Sequence, residues 1–302
     1  MKTEKHGFIN TGRQAGEHRE GACVREEAAS HGALKRLASG VFLIAATLYV
    51  VLYTDAIWLA AAVAAVTLLA LIEYNRLRLT EKKDALLDAA LLISGGAVPF
   101  FVYLFGHAVV APFMIASLFL FFILSIFNTG NFRQTALSGA LKVLGMVYIA
   151  IPLSYLILIK GHDRGQFWIL LLLLVVWSND TFAYVVGKSI GRHRLAPSLS
   201  PKKTIEGAAG GVISGLIAGF LFNRFLDMGM SLFGVAALSI AIGIIALSGD
   251  VAESLLKRGA GVKDSGGIIP GHGGVLDRLD SLLFTIPFLY YFLSIDLRTL
   301  AG

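Results

Sequence analysis

Residues Ser254–Asp280 read SLLKRGAGVKDSGGIIPGHGGVLDRLD: seven formal charges, a histidine and seven glycines between two strongly apolar runs, Ser231–Leu247 and Ser281–Ile295. Both flanks are apolar enough to be buried in lipid, and ionisable groups kept beside hydrocarbon are costly and mark ion or substrate sites. Outward from this segment the same alternation of long apolar runs and short charged breaks continues along the chain. With 56% hydrophobic and 15% charged residues in 302, and a mean hydropathy of +0.73, the chain carries more apolar surface than a soluble core hides. The runs are continuous and rich in Leu, Ile, Ala and Val, unlike the alternating segments of about ten residues that build an outer-membrane barrel. An all-α polytopic integral membrane protein is expected.

Nine transmembrane helices are expected, at about 37–53, 56–75, 85–105, 109–127, 141–159, 166–187, 207–226, 231–256 and 281–296. Residues 1–36 are polar, mixed in charge and without an apolar h-region, which predicts a disordered cytoplasmic tail and not a cleavable signal peptide. Cys23, the only cysteine, lies there and excludes an intramolecular disulfide. The chain thus divides into the tail, N-terminal transmembrane helices over 37–165, and a C-terminal catalytic transmembrane region over 166–302 that holds the polar motifs. With a cytoplasmic N-terminus, 22 Lys/Arg fall on the cytoplasmic side, and only Lys160, Arg164, Arg224 and Arg298 fall outside. That split obeys the positive-inside rule and places the C-terminus outside. The net charge of +6 therefore belongs to one membrane face and calls for no nucleic acid. Any single Lys or Arg is first a topology determinant, so function has to be argued from its neighbours.

Two cytoplasmic segments supply such neighbours. In SNDTFAYVVGKSIGRHRLAPSLSPKKTIEG, Ser178–Gly207, residues Asn179 and Asp180 sit at the hydrophobic end of the sixth span. They would either hydrogen-bond to a neighbouring helix or line a polar cytoplasmic cavity, and the cavity is the expectation. Ser200-Pro201-Lys202-Lys203-Thr204 reads as a helix start, with Ser at the N-cap, Pro at the first helical position and two lysines beside unpaired N–H groups. Such a terminus is an anion site, and phosphate is the usual anion. The following helix carries Gly207, Gly211, Gly215 and Gly219 at four-residue spacing. This stripe suits close helix packing within the chain, or else a homodimer.

In the second segment Asp250 and Glu253 share a helix face, and Lys257 follows Glu253 at i+4 as its ion-pair partner. Asp250 is left unpaired one turn deeper, where a carboxylate is expected to bind a cation. Asp277 and Asp280 add carboxylates across the loop, and Gly271-His272-Gly273-Gly274 offers backbone that can approach a ligand closely. Carboxylates with water and phosphate oxygens suit a hard ion such as Mg²⁺, and no thiolate or imidazole cluster points to zinc.

Ser254-x-Leu256-Lys257-Arg258, then Lys263-Asp264, then Ile269-Pro270-x-His272-Gly273-Gly274-Val275-x-Asp277-Arg278-Leu279-Asp280 resembles the signature of the phosphatidate cytidylyltransferases, or CDP-diglyceride synthases. Asn179-Asp180-Thr181-Phe182-Ala183-Tyr184 and Ser200-Pro201-Lys202-Lys203-Thr204-x-Glu206-Gly207 resemble the same family's upstream pattern. The likeness lies in the C-terminal half. It implies that CTP and phosphatidate give CDP-diacylglycerol and pyrophosphate with Mg²⁺ at an integral inner (plasma) membrane, the site opening to the cytoplasm. It also implies Asp250 and Asp277 as principal metal ligands, Asp180 as a weaker one, and a two-cation centre. Lys257 and Arg278 would act in catalysis. Lys202, Lys203, Lys257, Arg258, Lys263 and Arg278 are the candidates for the phosphates of CTP and lipid, with Ser200 and Thr204 in the same block. His272, Gly273 and Gly274 would shape the nucleotide pocket, while Asn179, Glu253, Asp264 and Asp280 would orient these groups. The alternatives are a CTP-dependent lipid kinase of the dolichol or phytol type, which would transfer the γ-phosphate, and an ion-coupled transporter. No internal repeat favours a transporter. The Asp-Gly-x-x-Ala-Arg block of a CDP-alcohol phosphatidyltransferase is absent.

Overall fold

The computed structural model describes residues 39–77, 79–80, 84–127, 131–268 and 273–295; the tail, Cys23 and His272 lie outside them. The elements are α1 (Ser39–Tyr53), α2 (Ala56–Arg76), α3 (Ala85–Phe105), α4 (Val110–Ile126), α5 (Phe132–Gly145), α6 (Ile151–Lys160), α7 (Gly165–Ile190), β1 (Arg194–Ala196), β2 (Ser200–Thr204), α8 (Ile205–Leu226), α9 (Leu232–Gly259) and α10 (Leu276–Ser294). Each apolar run of the sequence is helical, because inside hydrocarbon a backbone must satisfy its own hydrogen bonds. Among the described residues, six helical stretches are long and apolar enough to cross a membrane: Ala56–Arg76, Ala85–Ile126, Phe132–Lys160, Gly165–Ile190, Ile205–Leu226 and Leu232–Gly259. Among the described residues α1 is a shorter apolar helix, and α10 opens with Asp277, Arg278 and Asp280.

Helix starts follow local chemistry. Asp84 caps α3 by accepting from the Leu87 N–H at 3.2 Å, Asn131 caps α5, and Ser231 caps α9 through the Gly234 N–H at 3.0 Å. Ala85–Ile126 runs for 42 residues, which at ~1.5 Å per residue is about twice a bilayer core. The chain therefore folds back in a 3₁₀ turn at Gly106–Val109, where Gly106 takes φ +67°. The rings of Phe101 and Phe113 consequently lie 5.5 Å apart. Between α5 and α6 a π-helical turn, Met146–Ala150, inserts in a buried position.

α6 sits centrally, against α2, α3, α7 and α10. Leu71, Leu91, Ile149, Leu153, Leu172 and Ile242 are among the fully enclosed side chains of this core. The glycine stripe of α8 is consumed inside the chain. A Cβ on Gly207 would lie 2.6 Å from the Ala183 carbonyl oxygen, and one on Gly211 would lie 2.7 Å from that of Asn179, so α7 and α8 touch backbone to backbone.

Three expectations shift. α5 begins at Phe132 and α10 at Leu276, earlier than the hydrophobicity of 141–159 and 281–296 marks, because polar residues extend each helix into the interface. α7 runs on to Ile190, so Asn179 and Asp180 lie about three turns inside it and not at its end. Ser200–Thr204 is a short β-strand where a helix start was expected. It pairs antiparallel with β1 through Arg194↔Thr204 and Ala196↔Ser200.

Candidate active site

α7, α8, α9 and the β-hairpin enclose a cavity of about 620 Å³ whose lining includes Asn179, Asp180, Lys202, Lys203, Thr204 and Asp250. Its inner wall is set by the α7–α8 contact. Asn179 is buried, and its side-chain oxygen would lie 2.7 Å from a Cβ on Gly211 and 3.4 Å from one on Gly243. Glycine at both positions leaves room for that amide, and Asp180 beside it lines the cavity. Asn179 and Asp180 thus line a cavity.

The lysine block reaches the cavity by a different route from the helix start expected. Thr204, not Ser200, is the N-cap: its hydroxyl accepts from the Gly207 N–H at 3.1 Å. Pro201 occupies a two-stranded ribbon, where a missing N–H is tolerated. The ribbon is closed at its base by Glu206, which accepts from the Arg192 N–H at 3.0 Å and from His193 Nδ1 at 2.6 Å, while the Ile205 N–H donates to the His193 carbonyl at 2.9 Å. The lysines are therefore presented by a strand. Lys202 is exposed, and Lys203 Nζ stands 2.5 Å from Asp250 Oδ2. Asp250 is accordingly paired, against the expectation of an unpartnered carboxylate, because only the fold brings β2 over α9.

The second cluster lies at the start of α10. Lys257 pairs with Glu253, as the i+4 spacing predicts, and its Nζ also donates to Asp277 Oδ1 at 2.7 Å. Asp277 further accepts from the N–H groups of Ser265 at 3.1 Å and Gly274 at 2.9 Å. Burial alone would push the Asp277 carboxyl up; the Lys257 ammonium and the Gly274 N–H outweigh it and hold it at about 2. Gly273 takes φ +83°, a left-handed turn that suits glycine. Arg258 donates through Nε to the Leu199 carbonyl at 3.3 Å and through Nη1 to that of Val262 at 2.9 Å, so it ties the hairpin to the loop after α9. Lys263 and Asp264 are exposed on that loop. Arg278 lies within electrostatic reach of Asp180, and Asp280 within reach of Asp250 and Glu253. Asp280 Oδ1 accepts from the Ser281 N–H at 2.6 Å.

Among the described residues no three Asp, Glu, His or Cys side chains converge closely enough to hold an ion unaided. Mg²⁺ is commonly held by one or two carboxylates plus substrate phosphates and water, without an all-protein cage. Asp180 and Asp250 offer such oxygens to the cavity. Asp277 has its oxygens on Lys257, Ser265 and Gly274.

Two residues of the N-terminal half enter this site without any motif to announce them. Glu73 of α2 accepts from the Leu276 N–H at 2.9 Å. Tyr148, on the π-helical turn, has a buried hydroxyl with no partner among the described residues, within electrostatic reach of Glu253, Asp280 and Asp250. A lone Glu near the end of an apolar run was the one visible signal, and it reads equally as an interfacial charge.

A family model described as "Cytidylyltransferase family" matches residues 34–296. The chain is 41% identical over 153 residues to a protein of Bacillus subtilis named phosphatidate cytidylyltransferase, the alignment covering 50% of this chain and 57% of that protein. It is 39% identical over 169 residues to a protein of the same name from Staphylococcus saprophyticus, covering 56% of this chain and 64% of that one. A Staphylococcus epidermidis protein of that name is 37% identical over the same length. The matched part spans less than two thirds of each of these relatives.

Proposed function

The chain belongs to the cytidylyltransferase family, and from that premise we propose that it transfers the cytidylyl group of CTP to phosphatidate, forming CDP-diacylglycerol and pyrophosphate for phospholipid synthesis. The observation that carries the reading is the cavity where Asp180, Asp250, Lys202 and Lys203 meet, tied through Arg258 to the loop that bears Asp277. Carboxylates and ammonium groups on one wall suit a triphosphate, and the relatives bearing the activity's name support the substrate pair.

A phosphate monoester is already an anion and needs no strong base. Its oxygen forms a bond to the α-phosphorus of CTP while the α–β anhydride bond breaks, and the electron pair leaves with pyrophosphate. The protein's work is to hold the two oxygens in line and to neutralise charge. Lys203 and Lys202 would bind phosphate oxygens from the hairpin, with Lys263 on the loop after α9 and Arg278 in the first turn of α10. Lys257 would act through its hold on Asp277. Asp250 and Asp277, with Asp180, would hold Mg²⁺ and a second cation, which when bound supply charge neutralisation at phosphate oxygens.

The topology we propose is nine spans, N-terminus cytoplasmic and C-terminus outside, in the plasma membrane, with the site open to cytoplasmic CTP. The Arg258–Leu199 bond supports it by keeping 188–206 and 257–268 at one end of the bundle. A homodimer would need a face other than the glycine stripe. The test is purified full-length protein with phosphatidate, Mg²⁺ and CTP labelled at the α- or the γ-phosphate. Label entering lipid from α is expected; entry from γ would indicate a lipid kinase instead.

A further inference from the structure

Resting on that reading, we propose that Glu73 of α2 is a positioning residue, the post on which the N-terminal helices hold Ser265 and Leu276 and so aim Asp277. Glu73 is 0% exposed. Its Oε2 accepts from the Leu276 N–H at 2.9 Å and from Ser265 Oγ at 3.4 Å. None of the ion pairs among the described residues includes it, and its Oε1 has no hydrogen-bond partner there. A carboxylate buried on such terms is expensive to keep and calls for a reason.

The reason lies in what it holds. α10 has no side-chain cap of its own, its N-cap being Val275; the Arg278 N–H turns back to the Val275 carbonyl at 3.0 Å, and the Leu276 N–H needs an acceptor from elsewhere. Glu73 supplies one from another helix, and its charge suits a helix N-terminus. The glycines make room: a Cβ on Gly274 would lie 2.7 Å from Glu73 Oε2, and one on Gly266 would strike Oε1. Asp277 accepts from the N–H groups of Ser265 and Gly274, residues that also lie against Glu73. Leu276, which Glu73 fixes, is the residue before Asp277. Rotation of this first turn would therefore move Asp277 away from Lys257.

The experiment uses the full chain in lipid nanodiscs, with Cys23 replaced by Ser and a reporter cysteine at Val275, which is 8% exposed. Glu73→Ala should speed maleimide labelling of that cysteine at least about tenfold by freeing the first turn of α10. Without the reporter, it should lower kcat for α-label transfer at least about 30-fold, with the KM for CTP within about threefold. Glu73→Gln keeps an acceptor at the same reach and should restore both to within about threefold. Lys142→Met, which breaks a pair with Asp88 at the same end of the bundle, should change neither reading. Unaltered labelling in Glu73→Ala, faster labelling with unchanged kcat, or a Gln variant as impaired as Ala would each overturn the proposal. A wild-type protein that transfers no α-label would remove the assigned reaction, while the labelling contrast would still decide whether Glu73 holds the first turn of α10.

Discussion

Lys203 of β2 and Asp250 of α9 meet at 2.5 Å across the cavity, with side chains only 20% and 31% exposed. The pair fastens the hairpin over the helix and leaves a cation and an anion side by side where a nucleotide triphosphate would arrive. Its worth lies between the ~1 kcal/mol of a surface pair and the ~3–5 kcal/mol lost when a buried pair is broken. Lys202, its neighbour, points to solvent at the rim.

This asymmetry separates the two lysines. Lys203→Ala should lower kcat/KM for CTP by at least about 100-fold, and Lys202→Ala by about tenfold. Lys82→Ala and Lys83→Ala, equal in topological charge, should stay near wild type. Steady-state assays on all four decide it, and equal small effects would reduce the block to a topology signal.

Removing charge at constant size tests the acidic residues. Asp250→Asn and Asp277→Asn should each cut turnover by at least about 100-fold, while Asp280→Asn should cost about tenfold or less. Chelation with EDTA should abolish activity and added Mg²⁺ should restore it. Near-normal turnover of either of the first two variants at saturating Mg²⁺ would remove it from the proposed ligands.

The helix contact can be tested without chemistry. A Cβ at Gly211 would press on the Asn179 carbonyl and amide, so Gly211→Ala should destabilise by ~1–3 kcal/mol and lower activity through displaced Asn179 and Asp180. Gly267→Ala meets nothing within 4 Å and should shift stability by less than ~0.5 kcal/mol. Thermal melts of the two purified variants make the comparison.

Sidedness is read by labelling single cysteines in a Cys23-free background. Ser198 and Gly267, both exposed, should react with an impermeant thiol reagent only in inside-out vesicles, and Gly161 only in right-side-out ones. Ser265 is buried against Glu73 and is a poorer reporter than Gly267. Reaction of Ser198 and Gly267 from opposite faces would break the shared-site reading.

The apolar runs, their helical state and the polar segments between them were legible in the sequence, because a backbone in hydrocarbon has one common way to satisfy itself and each run carries that information locally. The Glu253–Lys257 pair and the glycine stripe were legible for the same reason: helical spacing alone puts their partners on one face. What needed the tertiary structure were relationships between distant segments. Ser200–Thr204 has the residues of a helix start, and pairing with Arg194–Ala196 turned it into a strand that delivers Lys203 to Asp250. Asp277 looked like an open carboxylate until the loop folded Ser265 and Gly274 onto it. Glu73 carried no motif at all, since its role depends on α2 ending where α10 begins, and no local pattern encodes that meeting.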